Sequence, residues 1–291
     1  MKQTTITTRS KKHSFVSLIA FLLLASFALS ACQAATPAPT PTPASIILTD
    51  GLGRSVTLPG PAQRVISLGP SNTEILFTIG AGAQVVGRDT FSDYPAEAQA
   101  LSDVGGGFGE LNTEAIVALN ADLVLVADIF PTEQIKALED LGLTVYALPN
   151  PIDFEGMFRN METVAKLTGH EAQAADLIKT LKARVDAVAQ KITGITEQPL
   201  VFYELDSTDQ NAPYTAGPGT FIDTLIRAAG GVNLGSKLSG SWVQISIEEL
   251  IAQDPAIIVL GDYTWGGVTP EMVKARPGWE ALSAVKNNQV F

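Results

Sequence analysis

The stretch NTEAIVALNADLVLV at residues 112–126 returns in closely related form as SIEELIAQDPAIIVL at residues 246–260. Each copy starts with a small polar residue of the kind favoured at helix N-caps. A glutamate follows two positions later, and each copy ends in an apolar run typical of a strand that is buried on both faces. The sequence therefore predicts the same unit twice, a short capped helix that leads into a buried strand.

Strands and helices alternate around each copy, which predicts parallel sheets covered by helices on both faces. A glycine-containing turn joins two short strands at 46–60, and Ser71 and Glu74 fit a capping box at the start of the first helix. The elements that follow in the first half are strand 64–70, helix 71–82, strand 84–91, helix 114–120, strand 122–128, helix 132–142 and strand 144–149. Those of the second half are strand 199–205, helix 220–231, helix 246–254, strand 256–262 and helix 271–282.

A long helical segment, from Phe154 to Ile192, separates the two halves. Apolar residues recur there in steps of three and four, and residues 171–192 would span about 33 Å as one α-helix. We expect an α/β protein with two Rossmann-like lobes, each with a parallel sheet, joined by this long α-helix. The predicted boundaries are 46–168 for the N-terminal lobe, 169–194 for the connecting helix and 195–291 for the C-terminal lobe.

The N-terminus has the pattern of a secretory signal. A basic start precedes an apolar run at 15–31, and the small residues before Cys32 give the junction LSAC. We predict a lipoprotein signal peptide at 1–31, lipidation of Cys32 and a tether of Pro, Thr and Ala at 32–45. A transmembrane anchor is the alternative, but 17 residues lie at the short limit for a span. Cys32 is the single cysteine of the chain, which excludes an intrachain disulfide.

Charge narrows the choice of partners. Without the four cations of the signal segment, 15 Lys and Arg face 30 Asp and Glu, a net charge of −15. Such an acidic protein is a poor candidate for binding nucleic acid or an anionic membrane surface.

Aromatic residues accompany both copies of the repeat. Phe108 precedes Glu114 by six positions, and Trp242 precedes Glu248 by the same distance. Acidic residues in a first helical turn are also explained by the helix dipole alone, and aromatic residues by core packing. Their coincidence in both halves indicates a functional surface, because ligands of open α/β sheets bind at the loops after the strands.

Several segments together resemble the helical-backbone (class III) substrate-binding proteins, which serve ABC importers of iron–siderophore complexes, haem and cobalamin. The segments are the LSAC junction, the tether, RVISLGPSNTEILFTIGAG, VVGRDTFSDYPAEA, LNTEAIVALNADLVLV, the long helix and YTAGPGTFIDTLIRAAGGVNL. In that family a glutamate on each lobe docks onto arginines of the permease, and the matching positions are Glu114 and Glu248. The resemblance thus implies a lipid-anchored, extracytoplasmic monomer that binds a small metal chelate and an ABC permease, without a cofactor of its own.

The same resemblance suggests which ligand is bound. Aromatic residues that line the corrinoid site of cobalamin-binding members match Phe91, Phe108, Tyr214 and Trp242, while another of them is replaced by Ala127. Cobalamin is therefore favoured over haem or a ferric siderophore, which stay open. An anionic siderophore would favour arginines, and near these loops only Arg88 is found, for which a structural role is expected.

Two other functional classes compete with transport. An enzyme would have to use His170, the only histidine after the signal segment, or carboxylates alone, and GGGFGE at 105–110 lacks the Lys-Ser/Thr of a phosphate loop. A surface scaffold lipoprotein without a ligand is the other alternative. Members of the family continue beyond the point that matches Phe291, so we expect the sequence to be incomplete there.

Overall fold

Parallel pairing of short apolar strands organises both halves of the protein. The computed structural model describes residues 1, 3 and 44–291, except 108, 128 and 129. The predicted signal segment, Cys32, most of the tether and Phe108 therefore lie outside the described residues. The described chain starts with an antiparallel hairpin of β1 (Ile46–Thr49) and β2 (Ser55–Leu58), as the glycine turn predicts.

The sheet of the first half is parallel and has the strand order β5-β4-β3-β6-β7. Its strands are β3 (Val65–Leu68), β4 (Val85–Arg88), β5 (Ser102–Asp103), β6 (Leu123–Ala127) and β7 (Val145–Leu148). Successive residues of one strand enter different cores: Val65 packs on one face and Ile66 on the other. Helices thus cover both faces, which confirms the prediction from the continuous apolar runs.

A smaller parallel sheet organises the second half. Strand β8 (Leu200–Glu204) lies between β10 (Val232–Asn233) and β12 (Ile257–Leu260), and Val290 forms a parallel bridge to Ile258. An antiparallel ribbon accompanies this sheet, made of β9 (Tyr214–Ala216) and β11 (Trp242–Gln244).

The α-helices of the described chain follow the predicted order. They are α1 (Pro70–Thr78), α2 (Thr113–Ala118), α3 (Thr132–Asp140), α4 (Phe154–Thr168), α5 (Glu171–Ile192), α6 (Phe221–Ala228), α7 (Ile247–Gln253), α8 (Tyr263–Gly266), α9 (Pro270–Lys274) and α10 (Ser283–Lys286). The predicted helical segment 154–192 is two helices, because Gly169 adopts a left-handed conformation and ends α4. The long helix α5 matches its prediction, and among its residues only Ala174 and Ile178 are fully buried.

Two local predictions were wrong. Ser71 does not cap α1: the helix begins one residue earlier at Pro70, Gly69 holds the N-cap position, and no side chain caps it. The predicted helix 271–282 ends at Lys274, because Pro277 disfavours helical conformation at Arg276 and Gly278 adopts a positive φ of 86°.

The repeated sequence folds into the same unit twice. Asn112 caps α2 by accepting a hydrogen bond from the N–H of Ala115 (3.0 Å), and Ser246 caps α7 by accepting one from Glu249 (3.2 Å). Each helix is then followed by a left-handed residue with φ of 47°, Asn120 in one copy and Asp254 in the other. The two copies thus agree in the cap, the turn and the buried strand that follows.

We predict that Asn112→Ala and Ser246→Ala each lower the free energy of unfolding by about 1 kcal/mol, because each removes the acceptor for a helical N–H. Asn112→Asp and Ser246→Asp keep an acceptor and place a negative charge at the helix start, so they retain the stability of the original protein. Urea denaturation of the four variants measures this difference. Equal losses in the alanine and aspartate variants would contradict the capping role.

Candidate ligand-binding site

The carboxyl ends of the strands form the natural binding edge of both sheets. In the first sheet the chain builds outward from β3 to β4 and β5, and then to β6 and β7 on the other side. In the second sheet β10 and β12 lie on opposite sides of β8. Ligands of open α/β sheets bind outside the carboxyl ends at such reversals of strand order. The candidate site therefore consists of the loops after β3, β4 and β6 and the loops after β8 and β12.

Asp89 organises the loop that follows β4. Its buried carboxylate accepts hydrogen bonds from the N–H of Gly69 (2.7 Å), the N–H of Phe91 (2.9 Å) and the hydroxyl of Ser92 (2.5 Å). These bonds tie the loop that carries Phe91 to the start of α1. Sequence reasoning did not single out Asp89, although a carboxylate directly after an apolar strand was the available signal.

Phe91 lies in this loop and is 51% exposed. Its ring packs on the backbone of Gly107, where φ is 70° and an added Cβ would overlap the ring. The glycine run 105–107 is thus explained in part by close contact with an aromatic side chain. Phe108, which the sequence analysis predicts as a further ligand-binding residue, lies outside the described residues.

Asn72 and Ala127 lie at the reversal of the first sheet. A Cβ built on Gly69 would be 3.4 Å from Nδ2 of Asn72 and 3.6 Å from the methyl group of Ala127. Asn72 is 3% exposed, and its Nδ2 has no hydrogen-bond partner within the described part of the chain. Where the cobalamin-binding pattern has an aromatic residue, this protein has a small methyl group beside an amide.

Tyr214 and Trp242 lie side by side on the ribbon of the second half. The register pairs Trp242 with Ala216 and Gln244 with Tyr214, so Tyr214 and Trp242 are diagonal neighbours on one face. They are 40% and 51% exposed. The ribbon is held closely at its end, where the N–H of Gly217 donates to the carbonyl of Ser241 (2.8 Å). Two predicted site residues therefore form one exposed aromatic surface.

A buried ion pair lies at the carboxyl end of β8. Arg276 donates through Nη1 (2.5 Å) and Nη2 (2.9 Å) to the carboxylate of Glu204, and both side chains are almost fully buried. The guanidinium also lies 4.5 Å from the ring centre of Trp279. Burial raises the pKa of Glu204, and the hydrogen bonds from Arg276 oppose this shift only in part. Sequence reasoning missed this pair, because Arg276 was assigned to a helix that ends before it.

Glu114 and Glu248 occupy equivalent positions in the two repeats. Each is the second residue of its helix, and both side chains are exposed. They are thus available for contact with a partner, as the resemblance implies. Arg88 has the expected structural role, since it donates to the carbonyl groups of Asp89 (2.9 Å) and Ala98 (3.1 Å).

No group of three or more metal-ligating side chains is found among the described residues. His170 lies between α4 and α5, with its Nδ1 3.0 Å from the carbonyl oxygen of Thr168. Within the same described part, no helix is both long and apolar enough to cross a membrane.

Comparison with known proteins gives the family. Residues 65–291 match the family described as periplasmic binding protein. The chain belongs to this family. It is 31% identical to an uncharacterized ABC transporter substrate-binding lipoprotein, YvrC of Bacillus subtilis, over 84% of this chain and 77% of that protein. It is also 32% identical to a cobalamin-binding protein of Halobacterium salinarum, over 73% of this chain and 57% of that protein.

A solved structure agrees with this family. A possible iron-binding, periplasmic solute-binding protein from Staphylococcus epidermidis aligns with a TM-score of 0.67 and 28% identity, over 79% of this chain and 88% of that one. The resemblance to class III substrate-binding proteins is confirmed, and so is the predicted fold of two α/β lobes with parallel sheets. These proteins are described as binding proteins, which agrees with a function in transport.

We predict that Arg276→Met lowers the free energy of unfolding by about 3–5 kcal/mol, because it leaves the carboxylate of Glu204 buried without a counter-charge. Lys136→Met is the matched control, since Lys136 forms an exposed pair with Asp140 (2.8 Å). It should leave the midpoint of urea denaturation almost unchanged, because exposed ion pairs contribute little to stability. Urea denaturation measures both, and a loss below about 1 kcal/mol for Arg276→Met would show that the pair is not needed for stability.

Proposed function

We propose that this protein is the extracytoplasmic substrate-binding lipoprotein of an ABC importer and that it captures a metal chelate, with cobalamin favoured. The observation that carries the choice of ligand is the exposed aromatic surface at the candidate site. Tyr214 and Trp242 share one face of the ribbon, and Phe91 is half-exposed in the loop after β4. Aromatic side chains bury a large area of a broad, flat ligand while losing little conformational entropy.

In the proposed delivery, one part of the chain anchors the protein and other residues dock it onto the permease. Lipidation at Cys32 would anchor the chain outside the cytoplasmic membrane, and the tether at 32–45 would let the folded part move between ligand and permease. Glu114 and Glu248 would then contact arginines of the permease, one from each half. The cobalamin-binding relative supports the choice of a corrinoid. The possible iron-binding protein from Staphylococcus epidermidis keeps ferric siderophores as competitors, and a structurally similar haem-binding protein does the same for haem.

Tryptophan fluorescence of the full-length protein in detergent tests the ligand. We expect saturable quenching by cyanocobalamin, weaker or no quenching by haem and ferric siderophores, and an affinity at least tenfold lower for Trp242→Ala. Ile47→Ala removes a comparably exposed apolar side chain from the first hairpin and should leave the affinity unchanged. A thermal shift that grows with ligand concentration gives an independent measure.

Saturable binding of an iron chelate alone would leave the proposed transport role in place and would show that the ligand is an iron chelate and not cobalamin. If no chelate binds or stabilises the protein, a scaffold without a ligand becomes the better description.

Docking is tested separately from binding. We expect Glu114→Ala combined with Glu248→Ala to leave ligand affinity within twofold and to abolish uptake in cells, because both glutamates lie at helix starts and outside the proposed aromatic surface. Glu133→Ala combined with Glu249→Ala is the matched control, since these glutamates also lie in first helical turns. It should retain uptake. A large loss of ligand affinity in the first double variant would overturn the docking assignment.

A further inference from the structure

A short helix distinguishes the second copy of the repeat from the first. In the first copy residues 128–131 connect β6 to α3, whereas in the second the connection from β12 to α9 spans 261–269 and contains α8. Tyr263 and Trp265 of this helix are 57% and 63% exposed. Core packing therefore does not explain why the additional helix carries two aromatic side chains.

Trp265 lines a pocket at the carboxyl ends of β8 and β12. Asp206, Val268 and Met272 are among the other residues that line it, whereas Tyr263 is not. The volume of the pocket is about 240 Å³. An apolar cavity of about 150 Å³ already holds a benzene molecule, so this pocket has room for a ring of a larger ligand.

Hydrogen bonds to Asp262 position the helix that carries Trp265. Asp262 holds the N-cap position of α8, and its carbonyl accepts from the N–H of Gly266 (2.9 Å). Its carboxylate accepts from the hydroxyl (2.7 Å) and the N–H (3.1 Å) of Ser207, in the loop after β8. The backbone on both sides of the pocket is thus joined by direct contacts.

The pocket is next to the aromatic surface of the ribbon. Asp206 and Tyr214 form an antiparallel bridge, in which the N–H of Tyr214 donates to the carbonyl of Asp206 (2.8 Å). Residues directly opposite each other in such a pair direct their side chains to the same face. Tyr214 shares this face with Trp242. Asp206 therefore connects the pocket of Trp265 with the surface that Tyr214 and Trp242 form.

Charge limits what can enter the pocket. The N–H of Thr208 donates to the carboxylate of Asp206 (2.7 Å) and lowers the pKa of this group, so Asp206 is ionised at neutral pH. Arg276 also lines the pocket, but its charge is offset by Glu204. An anionic group of a ligand is therefore repelled here.

We infer that Trp265 is a further ligand-contacting residue and that its pocket takes a planar, uncharged group at the edge of the transported chelate. The inference rests on the proposed function, because it assumes that the chelate binds at the carboxyl ends of the strands. A planar group can stack on the exposed indole while the remainder of the ligand lies on Tyr214 and Trp242. The second half would then contact the ligand with three aromatic residues, of which the sequence patterns marked only two.

Isothermal titration calorimetry of the full-length protein in detergent tests the inference with cyanocobalamin and haem. Both are planar chelates, and calorimetry does not depend on the tryptophan fluorescence that the variants alter. For the chelate that binds, we expect Trp265→Ala to lower the affinity about tenfold, because a stacking surface is lost. Trp265→Phe keeps an aromatic ring and should stay within about threefold of the original protein.

Tyr263→Ala is the matched control. It removes a similarly exposed aromatic side chain from the same helix, but one that does not line the pocket. We expect it to change the affinity less than about threefold. Thermal unfolding of the three variants checks that the fold is retained.

The possible failures are distinguishable. If Trp242→Ala weakens binding but Trp265→Ala does not, the inference is wrong and the proposed function stands. Equal losses in Trp265→Ala and Tyr263→Ala overturn the inference as well, because the helix and not the pocket then determines the affinity. If the protein binds ferrioxamine B but neither planar chelate, the transport role stands and the inference is wrong. If none of the three chelates binds, the proposed function fails together with the inference.

Discussion

Parallel pairing is the constraint on which the remaining structure depends. Strands that run in one direction need a crossover between them, and in this protein helices supply the crossovers and bury both faces of the first sheet. All carboxyl ends of a sheet then open at one edge, where the chain reverses its strand order. Because packing occupies the faces, we expect a ligand to bind at that edge. The repeated sequence therefore encodes architecture first, and this architecture leaves one glutamate of each copy, Glu114 and Glu248, exposed at the start of a helix.

The two edges hold their loops by different electrostatic means. In the first half the buried carboxylate of Asp89 accepts three hydrogen bonds from neutral groups and joins two loops, whereas the buried carboxylate of Asp50, beside β7, pairs with Arg54. In the second half Glu204 is neutralised by Arg276, and Ser207 extends the network to Asp262. Hydrogen bonds alone stabilise the charge of Asp89, whereas the neighbouring buried carboxylates of Glu204 and Asp262 require a cation to offset their mutual repulsion.

The sequence predicts the fold far better than the site. Apolar runs and helical spacing identified the longer strands of both sheets and the long helix α5, because burial and periodicity are local features of the sequence. The two-residue strands β5 and β10 and the ribbon of β9 and β11 were not predicted. The errors arose where contacts between distant residues determine the local structure. The N–H of Gly69, at the start of α1, donates to Asp89, twenty positions later. Arg276 lies beyond the end of the helix that was predicted to contain it, and there it donates to Glu204. Tyr214 and Trp242 were predicted as site residues from resemblance, but their common face follows only from the pairing of β9 with β11.

The connection between the halves limits how the site can work. Helix α5 is long and mostly exposed, and further contacts join the two halves: the rings of Phe154 and Phe221 meet edge to face at 5.7 Å, and the hydroxyl of Thr224 donates to the carbonyl of Ile152 (2.8 Å). A wide hinge motion between the halves would break these contacts. A fixed aromatic surface provides affinity for many flat chelates but little choice among them. If the protein is to discriminate among such ligands, the proposed aromatic surface has to be complemented by polar groups that are fixed at the carboxyl ends of the strands.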